Sequence, residues 1–310
     1  MKHIIFNVLI SIYKVLPFQY FFLNILKRNG MSRHKIYKDL RFAGVFKINE
    51  KIYGNQISFK MMNFKGYIEN ETFWQGLFNT FEPESGYLWV LFSKKADVIF
   101  DIGANTGIYS LVSKSVNKHS VIYAFEPSRN THSKLIQNIE LNSFDINVYD
   151  LALSDINGKQ IFYDSPSDVQ TSASLSPEKN KNWDLFQGEI WEYEVDTLTL
   201  SQFVKDNGIK KIDLIKLDVE MHEHAVLGGY LEYLNIHLPV IFIEILNNQI
   251  AKVIYDYTNE NYDYYQLLEN KKIRKVNNFE IVMGVWNYLL IPKTKFNLFH
   301  SEIKAFKIEN

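Results

Sequence analysis

From residue 98 onward, short and largely apolar runs alternate with helix-like segments. The runs fall at 98–100, 121–125, 146–149, 212–217 and 240–245, and helical patterns occupy 108–115, 131–141 and 223–234. A strand that is apolar on both faces has to be covered on both faces, and such strands separated by helices build a parallel sheet. The fold class expected is therefore α/β, a mostly parallel sheet flanked by helices. A tyrosine-rich stretch at 262–265 and the apolar run at 288–291 are expected to supply closing antiparallel strands. The chain has 310 residues, enough for one large α/β domain with a small appendage.

The residues ahead of this pattern read differently. Residues 4–26 are mostly apolar, but Asn7, Ser11, Lys14, Pro17, Gln19 and Asn24 interrupt them. Pro17 breaks or kinks a helix, so two short helices are expected, at 3–15 and 18–28. No small-residue cleavage site follows the run, as a secretory signal would need, and the interruptions argue against a membrane span. Packing on the rest of the protein is the first reading of residues 1–28. Lying in a membrane interface, at the inner face of a membrane, is the second. Alternating apolar residues between 42 and 63, around Gly54-Asn55, predict a β-hairpin. Short helices are expected at 71–78 and 83–95. The division expected is an α+β extension over residues 1–80 and the α/β domain over 81–310.

Composition removes several function classes. With 34 Lys and Arg against 35 Asp and Glu, the net charge is −1, so there is no basic excess for nucleic-acid binding. Cysteine is absent, which excludes disulfides, thiolate metal sites and a cysteine nucleophile and fits a cytoplasmic location. Residues 165–182 form a long polar insertion, expected to be either a loose excursion or a lid over the acceptor site.

The most informative stretch is the loop Asp101-Ile102-Gly103-Ala104-Asn105-Thr106-Gly107 between a strand and a helix. Glycines there let a ligand approach main-chain N–H groups at a helix N-terminus. Neither phosphate fingerprint is matched. Asn105 stands where a dinucleotide fold has its middle glycine, and Ile108 follows Gly107 where a phosphate loop has lysine. Asp101 would repel a pyrophosphate but suits a ligand with an ammonium or sulfonium. Glu126 ends the next strand, where nucleotide-binding α/β folds place an acid on the ribose hydroxyls. A carboxylate can accept both hydroxyl protons. Together these features point to a nucleoside without phosphate and with a positive charge nearby, a description S-adenosylmethionine fits.

The stretch from residue 98 to about 245 resembles the FkbM-type methyltransferases, a branch of the class I, Rossmann-like enzymes that depend on S-adenosylmethionine. The blocks that carry the resemblance are Phe100 to Gly107, Ala124-Phe125-Glu126-Pro127, Ala152-Leu153-Ser154-Asp155, Val195-Asp196-Thr197-Leu198 and Ile212 to Glu220. His222-Glu223, Val226-Leu227-Gly228-Gly229 and Phe242-Ile243-Glu244 follow in the same order. The resemblance implies cofactor contacts from Asp101, Gly103, Asn105, Gly107, Glu126, Pro127, Ala152 and Leu153. It implies O-methylation, commonly of a sugar hydroxyl on a glycan or a natural product. One residue departs from the pattern: the family usually has glycine after Asp-Val-Glu, and here it is Met221.

Open α/β sheets bind ligands outside the carboxyl ends of their strands, which brings Asp218, Glu220 and Glu244 together there, with His222 and His224 at the start of the following helix. A hydroxyl acceptor loses its proton as it attacks, so Asp218, Glu220 or His222 is the candidate base. Two other readings stand beside this one: a magnesium-like ion held by Asp218 and Glu244, which is not the expectation, and carboxylates that only cap backbone N–H groups. The expected partner is a small-molecule or glycan acceptor. An NAD-linked sugar oxidoreductase or epimerase is the alternative function, opposed by Asn105 and by the absence of any Tyr-x-x-x-Lys in 110–220. A non-catalytic binding module built on the same fold is the other.

Overall fold

The computed structural model describes residues 19–33, 35–165, 173–176, 190–279 and 284–309. The helix expected at 3–15 and most of the insertion at 165–182 lie outside the described residues.

Strands β3 (Val98–Ile102), β4 (Val121–Phe125), β5 (Asn147–Tyr149), β9 (Leu214–Leu217) and β10 (Val240–Glu244) form the parallel part of one sheet. Antiparallel β13 (Asn287–Pro292) and β11 (Tyr262–Leu268) extend it, followed by β12 (Lys272–Val276) and β14 (Lys307–Glu309). Across the sheet the order is β14-β12-β11-β13-β10-β9-β3-β4-β5. The chain builds outward from β3 to β5, then crosses back and lays β9 on the other side of β3. A small sheet of β6 (Ala152–Ser154), β7 (Gly158–Asp164) and β8 (Trp191–Thr199) occupies that crossover.

Alternate residues of each central strand serve opposite faces. Ile99, Ala124, Leu214 and Phe242 pack with Trp89, Leu111, Val112 and Leu135 of α3 (Pro83–Ser93), α4 (Ile108–Val116) and α5 (Arg129–Glu140). Phe100, Phe125, Ile215 and Ile243 pack with Phe203, Val226 and Ile254 of α6 (Leu200–Asp206), α7 (Glu223–Gly228) and α9 (Asn248–Thr258). This double coverage is why the strands show no polar alternation in the sequence.

The expected hairpin is β1 (Ala43–Ile52) with β2 (Asn55–Phe64). Its turn sits one residue earlier than the sequence suggested. Tyr53 and Gly54 take the two central positions with φ of 47° and 81°, and Asn55 already pairs with Ile52. The outer edge of β2 is satisfied by side chains of α4, α5 and the turn after α5. Ser115 Oγ accepts the Ser58 N–H at 2.8 Å, Asn138 Oδ1 that of Met62 at 2.8 Å and Asn142 Oδ1 that of Lys60 at 2.6 Å. Such cover removes a free strand edge and fixes the hairpin to the helical layer.

Two helical expectations are corrected, and a third, at 18–28, is met. The helix expected at 71–78 is α2, Tyr67–Gln75, and it carries no amphipathic stripe because Ile68 to Trp74 are all buried, polar residues included. The segment 223–234 is two helices, α7 and α8 (Leu231–His237). The break falls at Gly229, where an added Cβ would lie 2.1 Å from the Ser154 carbonyl oxygen. The second N-terminal helix is α1, Gln19–Arg28, which buries Leu23 and sets Tyr20 against Phe42, ring centroids 5.4 Å apart. Phe21 stays exposed at 68%. Among the described residues no helix is long and apolar enough to cross a membrane.

Candidate active site

The order of the sheet reverses between β3 and β9, and ligands of doubly wound folds bind at the carboxyl ends of strands beside such a reversal. A cavity of about 680 Å³ opens there. The loops after β3 and β9 touch at Gly103, whose φ is +81°, and a Cβ would stand 1.8 Å from the Asp218 carbonyl oxygen. Only glycine meets both conditions.

Glu126 is locked onto the glycine loop. Its Oε2 accepts the Asn105 N–H and its Oε1 the Ser128 N–H, each at 2.9 Å. Each oxygen keeps a further lone pair, and the residue lines the cavity. Burial pushes this carboxyl up to about 7, opposed by the two N–H bonds and helped by the nearby Asp164 and Asp101. Gly103, Asn105, Pro127, Ala152 and Leu153 line the cavity as well, with Phe125, Leu151 and Phe162. Two expected contacts are not in its wall. Asp101 lies beneath it, 1% exposed, where it accepts the Ser110 hydroxyl at 2.6 Å. Burial raises its carboxyl to about 6. Gly107 caps α4 with φ +93° and faces Leu135.

The β3–β9 register sets Lys216 opposite Asp101. Lys216 is 2% exposed. Its Nζ lies 2.9 Å from Asp218, 3.6 Å from Glu82 and 5.0 Å from the centre of the Tyr109 ring. Burial opposes its charge, but Asp218 and Glu82 outweigh burial and hold its pKa above the ordinary lysine value. The Tyr109 hydroxyl donates to Glu82. Burial raises the Glu82 carboxyl against the pull of Lys216, and burial with the charges of Asp218 and Glu82 drives that of Glu244 well up. Asp218, Glu220 and Glu244 bring one carboxylate oxygen each within 4.8 Å of one another, as their places in the sequence implied.

The loop joining β9 to α7 is strained. Glu220 and Met221 both hold positive φ, 57° and 76°, which explains the glycine usual after Asp-Val-Glu and shows that Met221 adopts the same backbone at a cost of about 1–2 kcal/mol. Glu223 Oε1 holds the loop by accepting the N–H groups of Val219 and Met221 at 3.2 and 3.1 Å. Ser174, from the insertion, donates to the Glu220 carbonyl at 2.5 Å. Its neighbours Ala173 and Leu175 line the cavity. His222 also lines it, its Nε2 2.9 Å from Ser154 Oγ. Burial, with His224 beside it, lowers this ring to about 4, so it is neutral at physiological pH.

Sequence reasoning missed Glu82, Tyr109, Phe81, Ile68 and Trp286, all of which line the cavity. Glu82-Pro83 read only as a helix start. The signal that marks it is structural: Glu82 sits at φ +40° immediately before a proline, a position that restricts it further.

The profile of the Methyltransferase FkbM domain matches residues 101–271. Among curated proteins, the chain is 29% identical over 149 residues to the 2-O-methyltransferase NoeI of Sinorhizobium fredii, covering 45% of this chain and 59% of that protein. It is 27% identical over 161 residues to the 31-O-demethyl-FK506 methyltransferase FkbM of Streptomyces tacrolimicus, covering 44% and 60%. To the hexuronic acid methyltransferase AglP of Haloferax volcanii it is 24% identical over 137 residues, covering 44% and 51%. The chain thus spans less than two thirds of the length of these relatives. A solved FkbM methyltransferase from Methylobacillus flagellatus superposes with a TM-score of 0.41 at 13% identity, covering 63% of this chain and 43% of that one.

Proposed function

Because the chain belongs to the FkbM methyltransferase family, we propose that it transfers a methyl group from S-adenosylmethionine to a hydroxyl of a sugar, on a glycan or a related small molecule. The observation that carries this reading is Glu126, held against the glycine loop by the Asn105 N–H with a lone pair free on each oxygen. That is a receptor for a ribose diol, in a loop without the lysine of a phosphate loop or the middle glycine of a dinucleotide loop. The residues fit the cofactor in charge as well. Asp218 and Glu220 line the cavity with Glu126, and a ligand carrying both an ammonium and a sulfonium is favoured beside carboxylates. Gly103, Asn105, Glu126, Pro127, Ala152 and Leu153 would hold it, with Asp101 and Gly107 shaping the loop from beneath.

The bound cofactor supplies an electrophilic methyl group on a sulfonium. The protein's work is to place the acceptor oxygen in line and to take its proton. Asp218 and Glu220, at the carboxyl end of β9, shape the acceptor side, and one of them takes the proton. His222, neutral and held by Ser154, competes for that role from the same loop. Residues 1–80 form the extension whose Ile68 reaches the cavity wall, and residues 81–310 the catalytic domain, in a cytoplasmic protein. The relative named a hexuronic acid methyltransferase supports a sugar acceptor, and the one named a 2-O-methyltransferase supports transfer to oxygen. The test is incubation with methyl-labelled S-adenosylmethionine and the glycan pool of the native host. Label on a sugar oxygen supports the proposal; label on nitrogen, on nucleic acid or on no product refutes it.

A further inference from the structure

The acceptor end gathers four carboxylates from three separate places in the chain. Glu82 comes from the segment ahead of the family-matched residues, Asp218 and Glu220 from the end of β9, and Glu244 from the end of β10. Close-set oxygen ligands of this kind suit a hard divalent ion. One lysine already stands among them. The Lys216 ammonium lies 2.9 Å from Asp218 and 3.6 Å from Glu82, over the face of Tyr109, and among the described residues it is the only Lys or Arg lining the cavity. A lysine ammonium has three N–H donors, and here they face Asp218, Glu82 and the ring. Burying such a charge is tolerated only where paired groups compensate it. The backbone is bent to provide one of them, because Glu82 holds φ +40° before Pro83, a conformation costing about 1–3 kcal/mol.

We propose that Lys216 is the resident cation of the acceptor end, a positioning residue that stands in for a divalent metal among Asp218, Glu82, Glu220 and Glu244, with Glu82 and Tyr109 completing its cage. This rests on the methyltransferase reading for what the site does, but not for how it is tested. A fixed ammonium orients Asp218 and Glu82 toward the acceptor without the ligand-exchange steps of a bound ion. It also explains why this chain spends a strained glutamate from outside the matched segment: three carboxylates alone would leave the lysine one partner short. Removing the lysine's charge should leave a cluster of acids that takes up a metal.

The experiment titrates Mn²⁺ into the full chain, following the free ion by electron paramagnetic resonance. It uses wild type, Lys216→Met, Lys216→Gln and the charge-conserving Lys216→Arg, each checked for native circular dichroism. Wild type and Lys216→Arg should bind no Mn²⁺ below millimolar concentration. Whichever of the two neutral variants folds should bind it at least tenfold more tightly, and a further Glu244→Gln change should abolish the gain. A merely structural lysine would lower stability without creating a metal site. Wild type binding Mn²⁺ at micromolar concentration, with loss in Glu244→Gln, overturns the proposal. So does a folded neutral variant that binds no more tightly than wild type. Neither result bears on whether S-adenosylmethionine binds, so failure here is distinct from failure of the methyltransferase reading.

Discussion

Gly103 and Gly54 share one backbone angle, φ +81°, but not one environment. An added Cβ at Gly54 meets nothing within 4 Å, whereas at Gly103 it stands 1.8 Å from the Asp218 carbonyl oxygen. Alanine at either place carries the left-handed strain, about 1–2 kcal/mol. At Gly103 the β9 loop must also retreat by roughly 1.5 Å to reach ordinary contact, which strains or breaks the bond from the Asp218 N–H to the Ile102 carbonyl, now 3.0 Å. A lost buried backbone bond adds about 1–3 kcal/mol. Gly54→Ala should therefore lower the free energy of unfolding by about 1–2 kcal/mol and Gly103→Ala by about 2–5 kcal/mol. At roughly 2–4 °C per kcal/mol, the two melting temperatures are separated by several degrees in differential scanning calorimetry. Gly103→Ala should also weaken cofactor binding, since the displaced loop is the proposed seat of the cofactor, while Gly54→Ala leaves it unchanged. Equal melting temperatures for the two variants would refute the close approach on which the site's placement depends.

Three further outcomes follow from the same geometry. Asp218→Asn removes a charge beside Lys216 at constant size; turnover with the natural acceptor should fall by about 10²–10⁴-fold while cofactor affinity stays within a few-fold in calorimetry, and collapse of that affinity would move Asp218 into the cofactor's seat. Glu126 is raised to about 7 by burial, so the folded protein holds its proton more tightly than the unfolded chain does, and stability is lost as pH rises from about 4.5 to about 7. Relative to wild type, Glu126→Gln without cofactor should gain on the order of 3 kcal/mol above pH 7, at about 1.4 kcal/mol per pKa unit, and nothing below pH 4.5; a pH-independent difference in chemical denaturation counts against the burial argument. Leu23, on the inner face of α1, is fully buried, so Leu23→Ala should cost about 2–5 kcal/mol; an unchanged denaturation midpoint would show that α1 does not dock on the hairpin side of the protein.

The half of the site proposed to hold the cofactor is built from parts that are local in the sequence. Asp101 to Gly107 is one strand–loop–helix unit, and Glu126 ends the very next strand. The central strands were legible because both faces are buried, which leaves unbroken apolar runs. The acceptor half was only partly legible. Asp218, Glu220 and Glu244 follow from strand ends, but Glu82 reaches Lys216 through a left-handed turn that no local pattern encodes. Helix α2 hid its span for another reason. Glu69, Asn70, Glu71 and Thr72 are buried in it, so its polarity pattern reports hydrogen-bond partners such as Tyr37, which donates to Glu71, and not a solvent face. The turn at Tyr53-Gly54 was misplaced by one residue because asparagine and glycine both tolerate positive φ, and only the strand register decides between them.

The central claim is that Glu126 holds the ribose of S-adenosylmethionine. Titration calorimetry on wild type and Glu126→Ala at pH 8, where the carboxyl is ionised, tests it most directly. The account expects micromolar binding to wild type and binding at least about tenfold weaker to the variant, since a hydrogen bond to a charged group is worth roughly 1.5–3 kcal/mol. Unchanged affinity in Glu126→Ala, or tight binding of NAD in place of S-adenosylmethionine by wild type, would contradict it.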